Sequence, residues 1–414
     1  MDIDHNQLKR RLLSRDTLLM FGPAWLVMMA DMDASSYIGA AETGAVFGYG
    51  LIWLMLILII PLYIIQELAG RISISTNDGL GNVIRKNYGK RIAAIASFPM
   101  AITDMVTYAI EYLGVAIGLE IMGIPIILSI PVIYVIHILI VTKRKYSQAE
   151  KSLILISMIL IIALLISLFM RGFISVSSPI GNPLLIENTP TFYFLLAANT
   201  GAVIMPFMIF FQASATGRKS AELRENGINI PKKRKVNIMR KETFVGAIVT
   251  ELMMVIAEMA FTGIKGASHS SFFATPEELS KVLTPIAGSA SPYIFGIGLI
   301  AAGFIALIII SMGSAWGVAE SLNLKKNSYW VLYVLESLPA VVAVILINPV
   351  MLVRLVLYLL VFFVLALIFP LIILWFIGKN EKIMGDLVLS GKESKLFIAI
   401  SCFIVSTAVI SVIV

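Results

Sequence analysis

Two long apolar segments of this chain are each interrupted near their centre. The first runs from Trp25 to Ala30 and then meets Asp31, Met32, Asp33, Ala34, Ser35 and Ser36, while the second carries Gly201-Ala-Val-Ile-Met205-Pro206-Phe207. A lipid interior offers no water to the backbone groups that a broken helix frees. Such interruptions therefore persist only where they are enclosed by protein or line a cavity. A pair of them in corresponding halves of a chain points to a mid-membrane binding site, the arrangement of a carrier.

Composition fixes the class. Of 414 residues 59% are apolar and 14% charged, and mean hydropathy is +0.93, so the chain is an all-α polytopic membrane protein rather than a soluble domain. Windows of roughly 20 apolar residues place about 11 transmembrane helices near 18–43, 46–70, 94–121, 125–142, 152–170, 192–216, 243–264, 287–314, 329–347, 350–377 and 395–414. The first apolar stretch is too long for a cleavable signal peptide and leads straight into further spans. Spans 1–5 and 6–10 each begin with a broken helix and lie in opposite orientation. This predicts a leucine-transporter-like 5+5 inverted repeat, with span 11 as an appendage. The expected organisation is a tail at 1–17, a first repeat at 18–170, an external loop at 171–191, a second repeat at 192–377, a loop at 378–394 and the last span at 395–414.

The net charge of +7 is distributed by topology. Lys9 to Arg15, Arg85 to Arg91, Lys143 to Lys145, Lys232 to Lys241, Lys325–Lys326 and Lys379 to Lys395 fall in alternate loops. The positive-inside rule then predicts a multi-pass plasma-membrane protein with a cytoplasmic N-terminus and an external C-terminus. The Lys232 cluster fits a solvated topogenic loop better than a lipid-binding patch, although membrane lipids surround the whole chain. Nothing in this distribution calls for nucleic acid or an obligate protein partner.

Enzymatic chemistry finds no support. Cys402 is the single cysteine, and His5, His137 and His269 are scattered. No HExxH, GxSxG or Walker motif occurs, so neither proteolysis nor ATP-driven pumping is indicated, and no cofactor is called for.

The breaks carry the chemistry instead. An isolated carboxylate at mid-membrane costs about 2.5–3.5 kcal/mol, so Asp33 must be paired, protonated or bound to a cation. Its bland alternative is a neutral cap on the following half-helix, which Ser35 or Ser36 could supply at lower cost. Opposite it, Pro206 removes an amide donor beside Met205. Asp33, Ser36, the Met205 thioether and carbonyls at Ala30 and Ala202 make a mixed hard and soft donor set. Oxygen alone favours Mg or Ca, whereas a thioether shifts preference toward Mn, Fe, Co or Cd.

These residues also carry a resemblance. The stretch from Gly22-Pro-Ala24 through Asp33 to Gly44, Phe47-Gly-Tyr49 and Trp53, with Glu42 in place, the Gly201–Pro206 segment, and Leu283-Thr-Pro285 resemble the Nramp (natural resistance-associated macrophage protein) family of proton-coupled divalent metal transporters. The resemblance implies that Asp33 and Met205 are metal ligands and that Ala30 and Ala202 contribute carbonyls. Ser36 stands where the family has Asn, and Ala34 and Ser35 replace its helix-opening Pro-Gly.

The family's proton relay is thinned. Phe207 and Gln212 replace histidines and Tyr108 replaces an Asp, leaving Glu111, with Asp31, Asp104 and Glu42 as further candidates. The expected function is secondary transport of a divalent transition metal such as Mn2+ or Fe2+ by alternating access, coupled to protons or driven by voltage alone. A Mg-type divalent carrier, an amino-acid or other organic-solute transporter of the same fold, and a non-transporting bundle remain as alternatives. In an amino-acid carrier, Asp33 would repel the substrate carboxylate.

Overall fold

Proline opens several of the helices. Pro23, Pro190, Pro206 and Pro349 each stand at the first helical position, where the missing N–H is not needed and the fixed φ already suits. The computed structural model describes residues 15–413 apart from 144–145, 176–177, 263–283 and 285–287. Most of the expected tail 1–17, and Leu283 and Pro285 of the resemblance, lie outside the described residues.

In chain order the helices are α1 (Arg15–Met20), α2 (Pro23–Asp31), α3 (Ala34–Phe47), α4 (Ile52–Thr76), α5 (Leu80–Tyr88), α6 (Lys90–Ile121), α7 (Ile126–Lys143) and α8 (Tyr146–Arg171). They continue as α9 (Pro190–Val203), α10 (Pro206–Glu225), α11 (Lys232–Phe261), α12 (Ser291–Leu322), α13 (Tyr329–Leu346), α14 (Pro349–Gly378), α15 (Glu381–Met384) and α16 (Gly391–Ile413). Among the described residues there is no strand. Ten spans there are long and apolar enough to cross a membrane, with α9 and α10 counted as one. The α2–α3 pair is broken into pieces of 9 and 14 residues, each too short to be counted among these.

The inverted repeat is visible in which helices touch. Exchanging α2–α3 with α9–α10, α4 with α11, α6 with α12, α7 with α13 and α8 with α14 turns several of the main contacts into one another or into themselves. Thus α4 packs on α11 and α6 on α12, the α3–α11 contact is matched by α10–α4, α8–α12 by α14–α6, and α2–α8 by α9–α14. The last helix, α16, lies outside this exchange, against α9 and α14.

Burial follows the same plan. The broken pairs are enclosed, whereas α7, α8, α13 and α16 turn side chains such as Leu128, Leu155, Leu346 and Ile413 outward, as lipid contact requires. At one end of the bundle Arg240 of α11 meets Glu67 of α4 at 2.7 Å and Lys219 of α10 meets Glu150 of α8 at 2.6 Å, tying the two repeats together. Gly201 sets the closest approach near a break, because a Cβ there would stand 1.8 Å from the Leu360 carbonyl oxygen of α14.

Candidate metal site at the helix breaks

The first break is short. Only Met32 and Asp33 leave helical geometry, the latter extended at φ −81° and ψ 179°. Ala34 and Ser35, which the sequence placed in the break, form the first turn of α3 instead. Their amides have partners that make helix affordable so early. Asp33 Oδ1 accepts the Ser36 amide at 2.7 Å and the Ser35 hydroxyl at 2.7 Å, while Glu111 of α6 accepts the Ala34 amide at 2.9 Å and the Ser35 amide at 3.4 Å. The capping reading of Asp33 and the ligand reading are therefore compatible. One oxygen caps, and Oδ2 is buried without a hydrogen bond.

The second break comprises Ile204 and Met205, both extended. Pro206 and Phe207 again lie one step inside the helix that follows, because proline at the first position starts a helix more readily than it interrupts one. Met205 is fully buried, and its amide donates to the Met208 sulfur at 3.5 Å.

The two breaks meet. Ser36 Oγ lies 3.5 Å from the Ala202 carbonyl oxygen, and one turn away Asn199 Nδ2 donates to Thr43 Oγ1 at 2.7 Å. Asp33, Ser36, Ala30, Ala202 and Met205 all have 0% exposure. Among the described residues no group of three or more His, Cys, Asp or Glu could hold a metal ion. A cation bound at the breaks would thus depend on one carboxylate supplemented by hydroxyl, carbonyl and thioether donors.

The relay candidates occupy separate places. Glu111 closes the amino end of α3. Asp31 accepts a hydrogen bond from Thr250 of α11 at 3.3 Å and interacts electrostatically with Glu251. Asp104 lies beside Ser314 of α12 and Glu336 of α13, away from the α3 amides. Glu42, 7% exposed, is further along α3.

Sequence reasoning missed a buried polar chain across α6, α7 and α12. Tyr112 OH and His137 Nδ1 are 2.6 Å apart, His137 Nε2 and Ser311 Oγ are 2.7 Å apart, and Tyr108 OH donates to Ser311 Oγ at 2.8 Å. It also missed Glu242 of α11, whose Oε1 accepts the Gly22 amide at 2.7 Å and the Trp25 amide at 2.9 Å. Neither residue has a local signature, since every partner comes from a distant helix.

Known proteins match along nearly the whole chain. The divalent metal cation transporters MntH of Klebsiella pneumoniae and Yersinia pestis are each 25% identical to it, over 90% of this chain and 88% of the first relative, and over 92% and 91% for the second. A crystal structure of the Eremococcus coleocola manganese transporter with an aromatic bis-isothiourea compound superposes with a TM-score of 0.79 at 16% identity, covering 99% of this chain and 88% of that one. This structural likeness supports the leucine-transporter-like architecture. The natural resistance-associated macrophage protein-like family profile matches residues 24–414, and the chain belongs to that family.

Proposed function

We propose that the chain carries a divalent transition-metal ion, Mn2+ or Fe2+ by its chemistry, across the plasma membrane. The observation that carries the proposal is the meeting of the two helix breaks, where Ser36 of one stands 3.5 Å from the Ala202 carbonyl of the other and Asp33 keeps one oxygen free. The ion exchanges water for Asp33 Oδ2, the Met205 sulfur, Ser36 Oγ and the carbonyls of Ala30 and Ala202. The single thioether favours late-row divalent ions over Mg2+ and Ca2+. The relatives named divalent metal cation transporter agree with this reading.

The two repeats rock around the bound ion, with the N-terminus cytoplasmic, the C-terminus external and the ion released inward. Membrane potential is a sufficient driving force. At about 2.3 kcal/mol per charge per 100 mV, a divalent ion gains roughly 4–5 kcal/mol from an inside-negative 100 mV potential. Where protons accompany the metal, Glu111 receives them next to the site, and Asp104 with Glu336 lies further along the same helix system.

The test is uptake into proteoliposomes with an imposed inside-negative potential, comparing Mn2+, Mg2+ and Ca2+ for the wild type and Met205→Ala while internal pH is recorded. Mn2+-selective uptake that loses its discrimination against Mg2+ and Ca2+ in the variant is expected. Acidification of the lumen marks coupling to protons, and its absence marks an uncoupled carrier. Uptake of no divalent ion, or full uptake by Asp33→Ala, overturns the proposal.

A further inference from the structure

Asp31 and Glu251 are buried acids to which the transport site gives no task. Asp31 ends α2 and Glu251 lies within α11, and both have 0% exposure. Thr250, adjacent to Glu251, donates to Asp31 Oδ2 at 3.3 Å, which brings this turn of α11 against the end of α2. Asp31 Oδ1 and both oxygens of Glu251 make no hydrogen bond. The charged groups acting on Asp31 are Glu251 and Asp33, both acids. None of the ion pairs among the described residues includes Asp31 or Glu251.

A purely structural role does not account for this. Two neighbouring carboxyl groups, of which only Asp31 has a hydroxyl partner, are costly in a membrane interior, and the carboxyl end of α2 adds further partial negative charge. A core that needed only packing would be served better by apolar residues of similar size. Asp31, Glu251 and Thr250 offer instead three carboxyl oxygens without a hydrogen bond and a threonine hydroxyl. Such a set suits small, hard cations, in contrast to the thioether side of the neighbouring site.

We propose that Asp31, Thr250 and Glu251 form a second cation site between α2 and α11, which takes a hard cation of the Mg2+ or Na+ kind and shares no side-chain ligand with the site at Asp33 and Met205. Occupancy offsets the charge of both acids. It also places positive charge two residues from Asp33, so the two ions bind with mutual antagonism, and the antagonism is reciprocal.

The experiment is equilibrium calorimetry on the full chain in lipid nanodiscs, titrating MgCl2, NaCl and MnCl2 separately into the wild type, D33A, E251Q and the D33A/E251Q double variant, with D31N as a second route to the same loss. D33A is expected to retain Mg2+ or Na+ binding, and adding E251Q or D31N weakens it at least about tenfold, with E251Q leaving the Mn2+ affinity within about threefold of wild type. The arm that gives heat identifies the cation as divalent or monovalent. Equal binding by D33A and D33A/E251Q, or binding of neither cation by D33A, overturns the second site. Because it is read without Asp33, the result does not depend on whether Mn2+ is the transported ion. A wild type that fails to bind Mn2+ counts against the transport proposal alone.

Discussion

Glu111 of α6 closes the amino end of α3, its Oε2 accepting the Ala34 amide at 2.9 Å. Together with Asp33, which accepts the Ser36 amide, it satisfies the first amides of a half-helix that begins inside the membrane. A carboxylate there also meets the positive end of the helix dipole. The first turn of α3 is therefore held by two acids, Asp33 in the break itself and Glu111 of α6.

Glu111→Ala is expected to strand the Ala34 and Ser35 amides in a dry interior. Each orphaned group costs about 1–3 kcal/mol, so the melting temperature of the purified protein falls by several degrees and Mn2+ uptake drops more than about tenfold. Glu111→Gln keeps an acceptor for Ala34 and folds. If Glu111 carries the coupled proton, this variant still moves Mn2+ but no longer acidifies the lumen. Unchanged acidification assigns the proton to another group.

Ser36 brings only a short hydroxymethyl side chain to the break. Its hydroxyl reaches the Ala202 carbonyl only at 3.5 Å, so an ion bound there keeps a water that a longer amide would displace. Ser36→Asn is expected to lower the Mn2+ dissociation constant by roughly three- to tenfold, measured by calorimetry. A weaker constant would mean that the closely packed break does not admit the longer amide beside the Ala202 carbonyl.

Much of the architecture was legible because hydropathy alone requires spans, and because an interruption such as Asp31–Ser36 has no other home in a bilayer. The register of the breaks was less so. Ala34, Ser35, Pro206 and Phe207 belong to the turns that follow, since Asp33 and Glu111 cap the one and proline initiates the other. Tertiary partners decide such details, and these lie far off in sequence: Glu111 is 77 residues from Ala34, and His137 is 174 from Ser311. A lone histidine in an apolar helix gives no sign of the two hydroxyls it will meet. The acid pair at Asp31 and Glu251 was likewise hidden, because only the packing of α2 on α11 brings these residues together.

Gly201 stands immediately before the carbonyl at Ala202. Gly201→Ala would set a Cβ 1.8 Å from the Leu360 oxygen, a backbone atom that cannot rotate away. The α9 helix must then shift from α14, at a cost of about 1–3 kcal/mol. Thermal stability should fall, and Mn2+ uptake should fall further than stability does, because the displaced segment ends at the candidate site between the breaks. Wild-type uptake by this variant would show that the Ala202 carbonyl is not a ligand.

His137 bridges Tyr112 and Ser311 with both ring nitrogens. Removing it leaves Tyr112 OH without that partner in a fully buried place. His137→Ala should therefore cost about 2–4 kcal/mol, from the lost hydrogen bonds and the cavity together, seen as a lower melting temperature. His137→Gln restores one donor and one acceptor and should recover part of the loss. Equal effects of the two variants would mean that ring volume, not hydrogen bonding, is what α7 contributes.

Glu242 fastens the amino end of α2 to α11, and both of its bonds end on a single atom, Oε1, at 2.7 Å from the Gly22 amide and 2.9 Å from the Trp25 amide. Gly22 is itself constrained, at φ +138°, where a Cβ would also run into Glu150. The clamp joins the half-helix of one repeat to a helix of the other, so it must loosen if α2 moves when the ion is released. Glu242→Gln retains an acceptor oxygen at the same point and should melt within about a degree or two of wild type, whereas Glu242→Ala strands both amides and loses about 1–3 kcal/mol. The same pair separates clamp from charge in transport. A change in the Mn2+ uptake rate confined to Glu242→Ala identifies the hydrogen-bonded clamp as the element that holds α2. Equal changes in both variants assign the effect to the carboxylate's negative charge.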